Sequence, residues 1–247
     1  MQAIHLGFEH ACAILNNLTV QCWGANYAGQ LGDGSYTSRS LPTSVTGVNN
    51  VQTLATGLKY TCEMCIRDSF GVEKIVSGSY HVCALSAGKL KCWGRNDTAQ
   101  LGDGTTSNRT SAVDVLSLSD VKEMIAGDWH TCALLTDQRV KCWGQNEQAQ
   151  LGIGLPAFQT KPTAVVGLLH IRTISVGERH TCILYEDGVA KCWGSNAYGQ
   201  LGDGSTLDRG MPVAVDRLTN IQMIAAGDDH TCALLSDQTA VSYTHLL

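Results

Sequence analysis

The stretch HTCILYEDGVAKCWGSNAYGQLGDG, residues 180 to 204, decides the fold, because copies of it recur along the whole chain. The copies phase on two landmarks. One is the Cys of H-x-C, at Cys12, Cys83, Cys132, Cys182 and Cys232, and at Cys62 with Tyr60 in place of His. The other is C-W-G, at Trp23, Trp93, Trp143 and Trp193. Cys132, Cys182 and Cys232 are spaced by 50 residues, as are Trp93, Trp143 and Trp193. A fixed period of this length marks a repeat architecture, in which each unit buries its faces against its neighbours.

Four extended segments make up the copy from Ile171 to Val215. The first, IRTISVG, closes at Gly177. In the second, HTCILY, alternation sets His180, Cys182 and Leu184 on one face and Thr181, Ile183 and Tyr185 on the other. A turn at Glu186-Asp187-Gly188 leads into VAKCWG, and after the loop SNAYGQLGDGSTLDRG the fourth segment opens at Pro212. The middle segments carry few polar residues on either face, which suits sheets covered on both sides. Helix is a poor alternative, since apolar residues do not recur at helical spacing and Gly interrupts every window. The expected class is therefore all-β, a β-propeller of four-stranded antiparallel blades, with residues 1–247 forming one partial propeller of about four to five blades. It is expected to be an open arc or an incompletely closed ring.

Two places break the pattern. After Cys62 the chain reads EMCIRDS and resumes its repeat at Phe70, so Cys62 to Cys83 spans 21 residues instead of 50. After Ala240, the residues from Val241 replace the expected K-C-W-G. Residues 63–69 and 241–247 are thus foreign to the repeat, and the strings CEMCIRDS and VSYTHL resemble translated sequencing-adapter DNA. On that reading the chain is a spliced fragment of a longer protein. A natural deletion is the alternative.

Eleven Cys in one chain suggest an oxidising compartment, and their placement suggests it more strongly. Cys12/Cys22, Cys132/Cys142 and Cys182/Cys192 are each ten apart across a turn. A three-residue loop with Gly188 in the left-handed position sets Cys182 opposite Cys192. Cys83/Cys92 are nine apart, and a two-residue turn at Ala87-Gly88 restores the same opposition. Four cross-hairpin disulfides are expected, with buried free thiols as the alternative. Cys62, Cys65 and Cys232 are left over. Cys62-x-x-Cys65 has zinc or redox spacing, but one Cys belongs to the repeat and the other to the insert.

Charge and hydropathy exclude other classes. The net charge of −5 supplies no general attraction to nucleic acid or anionic lipid. No apolar run reaches the length of a membrane span, and no signal peptide is visible, so neither nucleic-acid binding nor membrane insertion is expected.

His10, His81, His130, His180 and His230 share one repeat position. With the neighbouring Cys committed to its cross-strand partner, these His read as scaffold, bonding to backbone of the neighbouring blade. The G-D-G turns at Asp33, Asp103 and Asp203 lack the period of calcium repeats and the Lys of a phosphate loop. Each Asp precedes an Arg by six positions, at Arg39, Arg109 and Arg209; where Ile153 replaces the Asp, Gln159 replaces the Arg. This joint loss points to an Asp–Arg brace. No nucleophile, acid–base pair, metal set or cofactor motif stands apart from the repeat, so no catalysis is expected.

Between the Gly and the His of each copy lie two residues of no common chemistry: Phe8 and Glu9, Ser79 and Tyr80, Asp128 and Trp129, Glu178 and Arg179, Asp228 and Asp229. They occupy one loop type, hence one rim, and variable side chains on loops held by fixed neighbours are where binding is expected. Phe8, Glu9, Tyr80, Asp128, Trp129, Glu178, Arg179, Asp228 and Asp229 are therefore the candidate contacts to another protein.

The motifs G-x-x-H-T-C-A-L-L, C-W-G-x-N and G-Q-L-G-D-G together resemble the repeat of the regulator of chromosome condensation family. The resemblance covers nearly all the chain outside 63–69 and 241–247. It implies a member of a group of seven-bladed propellers that act in nucleotide exchange on a small GTPase, chromatin binding, ultraviolet sensing or inhibition of partner enzymes. The paired Cys resembles the secreted bacterial members, which implies an extracellular or periplasmic location. Ultraviolet sensors carry Trp just after the Gly of G-x-R-H-T; here Trp129 is one residue along. The expected function is a non-catalytic protein-binding propeller, part of a larger secreted bacterial protein; the alternative is a guanine-nucleotide exchange factor.

Overall fold

In the computed structural model the repeat folds as antiparallel strands that pair in chain order. The structure describes all residues except 8, 28–29, 46–50, 58–60, 66–71, 155–156 and 244–247, with backbone alone at 51–56, 61–65 and 72. The first sheet holds β1 (Ala3–Leu6), β2 (His10–Ile14), β3 (Val20–Gly24) and β4 (Arg39–Ser44). A two-stranded sheet follows, β5 (Val51–Thr56) and β6 (Thr61–Cys65). The third sheet holds β7 (Val72–Ser77), β8 (His81–Ser86), β9 (Lys89–Gly94) and β10 (Arg109–Asp114). The fourth holds β11 (Val121–Ala126), β12 (His130–Leu135), β13 (Val140–Gly144) and β14 (Gln159–Ala164). The fifth holds β15 (Ile171–Val176), β16 (His180–Tyr185), β17 (Ala190–Gly194) and β18 (Arg209–Ala214). The last holds β19 (Ile221–Ala226), β20 (Thr231–Leu235) and β21 (Ala240–Ser242).

This is an all-β propeller, and no α-helix occurs among the described residues. The first strands of successive sheets touch one another, β7 with β11, β11 with β15 and β15 with β19, so they line the axis. The second strands pack between sheets: every residue of β12 is buried. Outermost strands such as β4 and β10 are mostly exposed. The core lies between the blades, where Trp143 packs with Leu85, Leu90, Leu101 and Val115 of the preceding sheet. The terminal sheets keep open faces. His230 is exposed where its counterparts His130 and His180 are buried, and Leu6 is 74% exposed.

The fourth strand begins earlier than its Pro. Gly194 pairs with Arg209 and Cys192 with Val213, so a bulge lies between them and β18 starts at Arg209. Pro212 sits inside that bulge, on an outer strand, where its missing N–H costs no ladder bond.

The hairpins take the turns their residues allow. Ala87 and Gly88 both have positive φ, 48° and 71°, the two-residue turn that matches strand twist. The longer turns place their last residue in the left-handed region, Gln138 at 67° and Gly188 at 81°. Either loop length sets Cys opposite Cys. Disulfides join Cys12 to Cys22, Cys83 to Cys92, Cys132 to Cys142 and Cys182 to Cys192, each with Cα atoms 4.1 Å apart.

The two interruptions are absorbed differently. Glu63, Met64 and Cys65 extend β6 in register with β5, while 66–69 lie outside the described residues. At the other end, Val241 and Ser242 belong to β21, with Ser242 opposite Cys232, which is a free thiol. Tyr243 is 1% exposed and packs against Gly202, as Trp143 packs against Gly102 and Trp193 against Gly152. Val241 and Ser242 thus continue the strand, which needs only extended residues, and Tyr243, just past its end, fills the place of the Trp.

Candidate functional site, the rim of Gly-x-x-His loops

Each rim loop joins the axial strand of a blade to its second strand, and close packing shapes it. A Cβ on Gly177 would fall on the carbonyl of Gly227 and on the His180 ring, so only Gly fits. Two residues later the chain re-enters the sheet at His180. The carbonyl of the residue before each His accepts from the amide that follows C-W-G: Ala25 to Glu9 at 2.8 Å, and at 2.9 Å Arg95 to Tyr80, Gln145 to Trp129 and Ser195 to Arg179. The loop backbone is fixed in the same way in these four blades while its side chains are not.

The His residues brace the loops from beneath. Nε2 of His81 lies 2.8 Å from Thr131 Oγ1, His130 Nε2 3.0 Å from Thr181 Oγ1 and His180 Nε2 2.8 Å from Thr231 Oγ1. Each Thr hydroxyl donates to a backbone carbonyl of the preceding blade, Thr181 to Gln150 at 2.9 Å, so the His must donate from Nε2. The expected link to backbone therefore runs through a Thr side chain, because the Thr face of one blade meets the His face of the blade before it. Trp193 Nε1 donates to the same Gln150 carbonyl at 2.8 Å. Burial holds the His rings neutral, with pKa lowered to about 4 at His81, about 3 at His130 and about 4 at His180.

On this frame the rim divides into two sectors. In one, Tyr80 and Trp129 meet with ring centroids 4.9 Å apart. Arg95 lies over both, its Cζ 4.7 Å from the Trp129 centroid and 5.2 Å from that of Tyr80, and pairs with Asp97 at 2.6 Å. Arg95 was missed by the sequence reading. Its signal is slight: it follows C-W-G, where the other copies carry Ala25, Gln145 and Ser195. The loop after β9 leaves the sheet at the same end as the loop after β7, which brings it to the rim.

In the other sector, burial raises the carboxyl pKa of Asp128 above its usual range; Ser79 and Arg179 oppose this and Asp228 adds to it. Burial also raises Glu178, with Arg179 opposing and Asp128 and Asp229 adding. Arg179 pairs with Glu178 at 3.0 Å and is exposed, as are Asp228, Asp229 and Glu9. Phe8 lies outside the described residues.

The G-D-G loops are filled by the protein itself. Asn196, fully buried, donates from Nδ2 to Asp203 Oδ1 at 3.1 Å and to carbonyls of Ser205 and Leu207; Asp203 Oδ2 meets Arg209 Nε at 2.7 Å. Asp33–Arg39 and Asp103–Arg109 repeat the pair at 2.9 and 2.7 Å. Among the described residues no group of three His, Cys, Asp or Glu is placed to hold a metal, and no helix is long and apolar enough to cross a membrane.

A family model described as the regulator of chromosome condensation (RCC1) repeat matches residues 19–64, 87–134, 137–184 and 187–234, well over half the chain. Human E3 ubiquitin-protein ligase HERC2 is 29% identical over 138 residues, 55% of this chain and 2% of that protein. Ultraviolet-B receptor UVR8 of Arabidopsis thaliana is 28% identical over 135 residues, 53% of this chain and 26% of the receptor. The chain thus matches only a small part of these curated relatives. Prp20p from Saccharomyces cerevisiae superposes with a TM-score of 0.79 at 21% identity, over 97% of this chain and 70% of that one, a likeness of fold.

Proposed function

Since the chain belongs to the regulator of chromosome condensation repeat family, we propose that it is a non-catalytic propeller that binds another protein through its rim loops. One observation carries this reading: four of the rim loops have their backbone held by the same hydrogen bond while their exposed and half-buried side chains differ from blade to blade. A rigid frame with variable tips lowers the ordering cost of binding. The Tyr80–Trp129–Arg95 cluster supplies the aromatic and Arg anchors that dominate protein interfaces. Prp20p is described with binding properties to Gsp1p and histones, which supports protein binding as the shared use of the fold.

The paired cysteines support an extracellular or periplasmic location. The domain reading is part of the same proposal: one partial propeller spanning 1–247, with 63–69 and 241–247 outside the repeat. The bacterial assignment rests on the style of cysteine pairing alone.

The alternative, nucleotide exchange on a small GTPase, comes from one of the roles that the family resemblance implies. Partner capture with the full chain tests the first reading. Trp129→Ala and Arg179→Ala should each weaken retention by tenfold or more, since a central anchor contributes about 2 kcal/mol or more. Unchanged capture by both variants overturns the rim assignment. Accelerated GDP release from a small GTPase, with capture unaffected, favours the alternative.

A further inference from the structure

Three Asn-x-Thr triplets occur in the chain, Asn17-Leu18-Thr19, Asn96-Asp97-Thr98 and Asn108-Arg109-Thr110. This is the acceptor pattern for N-linked glycosylation, which takes place in export compartments that also form disulfides. The structure treats the three Asn differently.

Asn17 is exposed at the turn between β2 and β3, and its Oδ1 accepts from the Thr19 amide at 3.3 Å and the Thr19 hydroxyl at 2.7 Å. The equivalent position in later blades is Asp. Asp137, Asp187 and Asp237 accept the same amide bond from Arg139, Val189 and Thr239 at 3.1, 3.1 and 2.9 Å. The turn needs an acceptor oxygen and makes no use of Nδ2. Asn108 repeats this logic. It is exposed, and its Oδ1 accepts from the Asn96 amide at 2.7 Å; Asp208 does the same for Asn196 at 2.7 Å, and Ser38 for Asn26 at 3.2 Å. Nδ2 is again dispensable.

Asn96 is the opposite case. It is fully buried, and its Nδ2 donates to Asp103 Oδ1, the Thr105 carbonyl and the Ser107 carbonyl, each at 3.1 Å. Asn26 and Asn196 make the corresponding bonds, so here the amide nitrogen is the group the loop is built around. A sugar on it would need space the loop lacks and would remove a donor hydrogen from a buried network.

We infer that Asn17 and Asn108 are N-glycosylation acceptors and that Asn96, with the same triplet, is not. The co-reactant is a polyprenyl-diphosphate-linked oligosaccharide. Its anomeric carbon breaks from the phosphate oxygen, which keeps the bonding pair, and bonds to Nδ2, which releases one proton. The inference rests on the exported location proposed above, in a cell that carries the oligosaccharide-transfer machinery for this triplet, so it stands apart from the bacterial assignment and is independent of the rim assignment.

The test is secretion of the full chain from a eukaryotic host, followed by amidase release of the glycans in heavy-oxygen water and peptide mass mapping. Heavy Asp is expected at positions 17 and 108 and absent at 96. Asn17→Asp and Asn108→Asp, substitutions the other blades already carry, should each remove one glycan step from the intact mass with the fold retained. Secreted, folded protein lacking the label at 17 or 108, or carrying it at 96, overturns the inference. Thiol counting on the same sample reads the disulfides separately, so a failure of the compartment assignment is told apart from a failure at the Asn residues.

Discussion

His130 Nε2 and Thr181 Oγ1 lie 3.0 Å apart across the junction of two blades, 51 residues apart in sequence. The Thr hydroxyl in turn donates a hydrogen bond to the Gln150 carbonyl. Stacked sheets bury apolar faces without directional preference; this chain of donors adds a fixed register between neighbours.

Thr181→Val keeps shape and removes the hydroxyl, leaving His130 Nε2 buried without its acceptor. The expected loss of stability is about 1–3 kcal/mol, measured by chemical unfolding. Thr181→Ser, which keeps the hydroxyl, should lose less.

Acid should loosen the blade junctions. Burial lowers the pKa of His81, His130 and His180 to about 4, 3 and 4, while the unfolded chain takes up these protons near 6.5. In that window the unfolded state binds more protons, so their stabilisation is complete above pH 6.5 and lost as pH falls toward about 4. Asp128 and Glu178, whose pKa burial raises, run the other way. The thermal midpoint should therefore fall from pH 7 to pH 5, and His130→Gln should flatten that slope.

The Asp203–Arg209 pair is open to a double-mutant cycle. Arg209 is partly exposed, which keeps the expected coupling at about 0.5–1 kcal/mol. In the blade that lacks the pair, Ile153→Asp with Gln159→Arg should show favourable coupling of similar size. Zero coupling in both cycles would mean that the braces are ornamental.

Replacing Cys132 and Cys142 together by Ala removes one cross-hairpin bond. With so short a loop the expected loss is roughly 2–3 kcal/mol in unfolding free energy. The paired sheet should otherwise persist, since backbone ladder bonds hold the same register on both sides of the bridge.

Tyr243 occupies the cavity that Trp193 fills one blade earlier, but its hydroxyl is buried without a partner among the described residues. Tyr243→Trp should restore an indole N–H toward the Gln200 carbonyl and stabilise the last blade by about 1 kcal/mol. A loss of stability would show that this cavity is narrower than its counterparts.

Much of the fold was legible in the residues alone. The 50-residue period, the strand alternation of HTCILY and the turn residues Gly188 and Ala87-Gly88 determined an all-β repeat whose Cys stand opposite each other, because these are local consequences of backbone geometry. The rim positions were legible as the variable pair between Gly and His. What faces what across a blade junction was not, since it depends on the angle at which two sheets pack. Only the tertiary structure paired His130 with Thr181, brought Arg95 over Tyr80 and Trp129 from another loop, and seated Tyr243 in a Trp cavity. It also separated Asn96 from Asn17 and Asn108, for a triplet records which atoms are present and burial decides which of the Asn can carry a glycan in the folded protein.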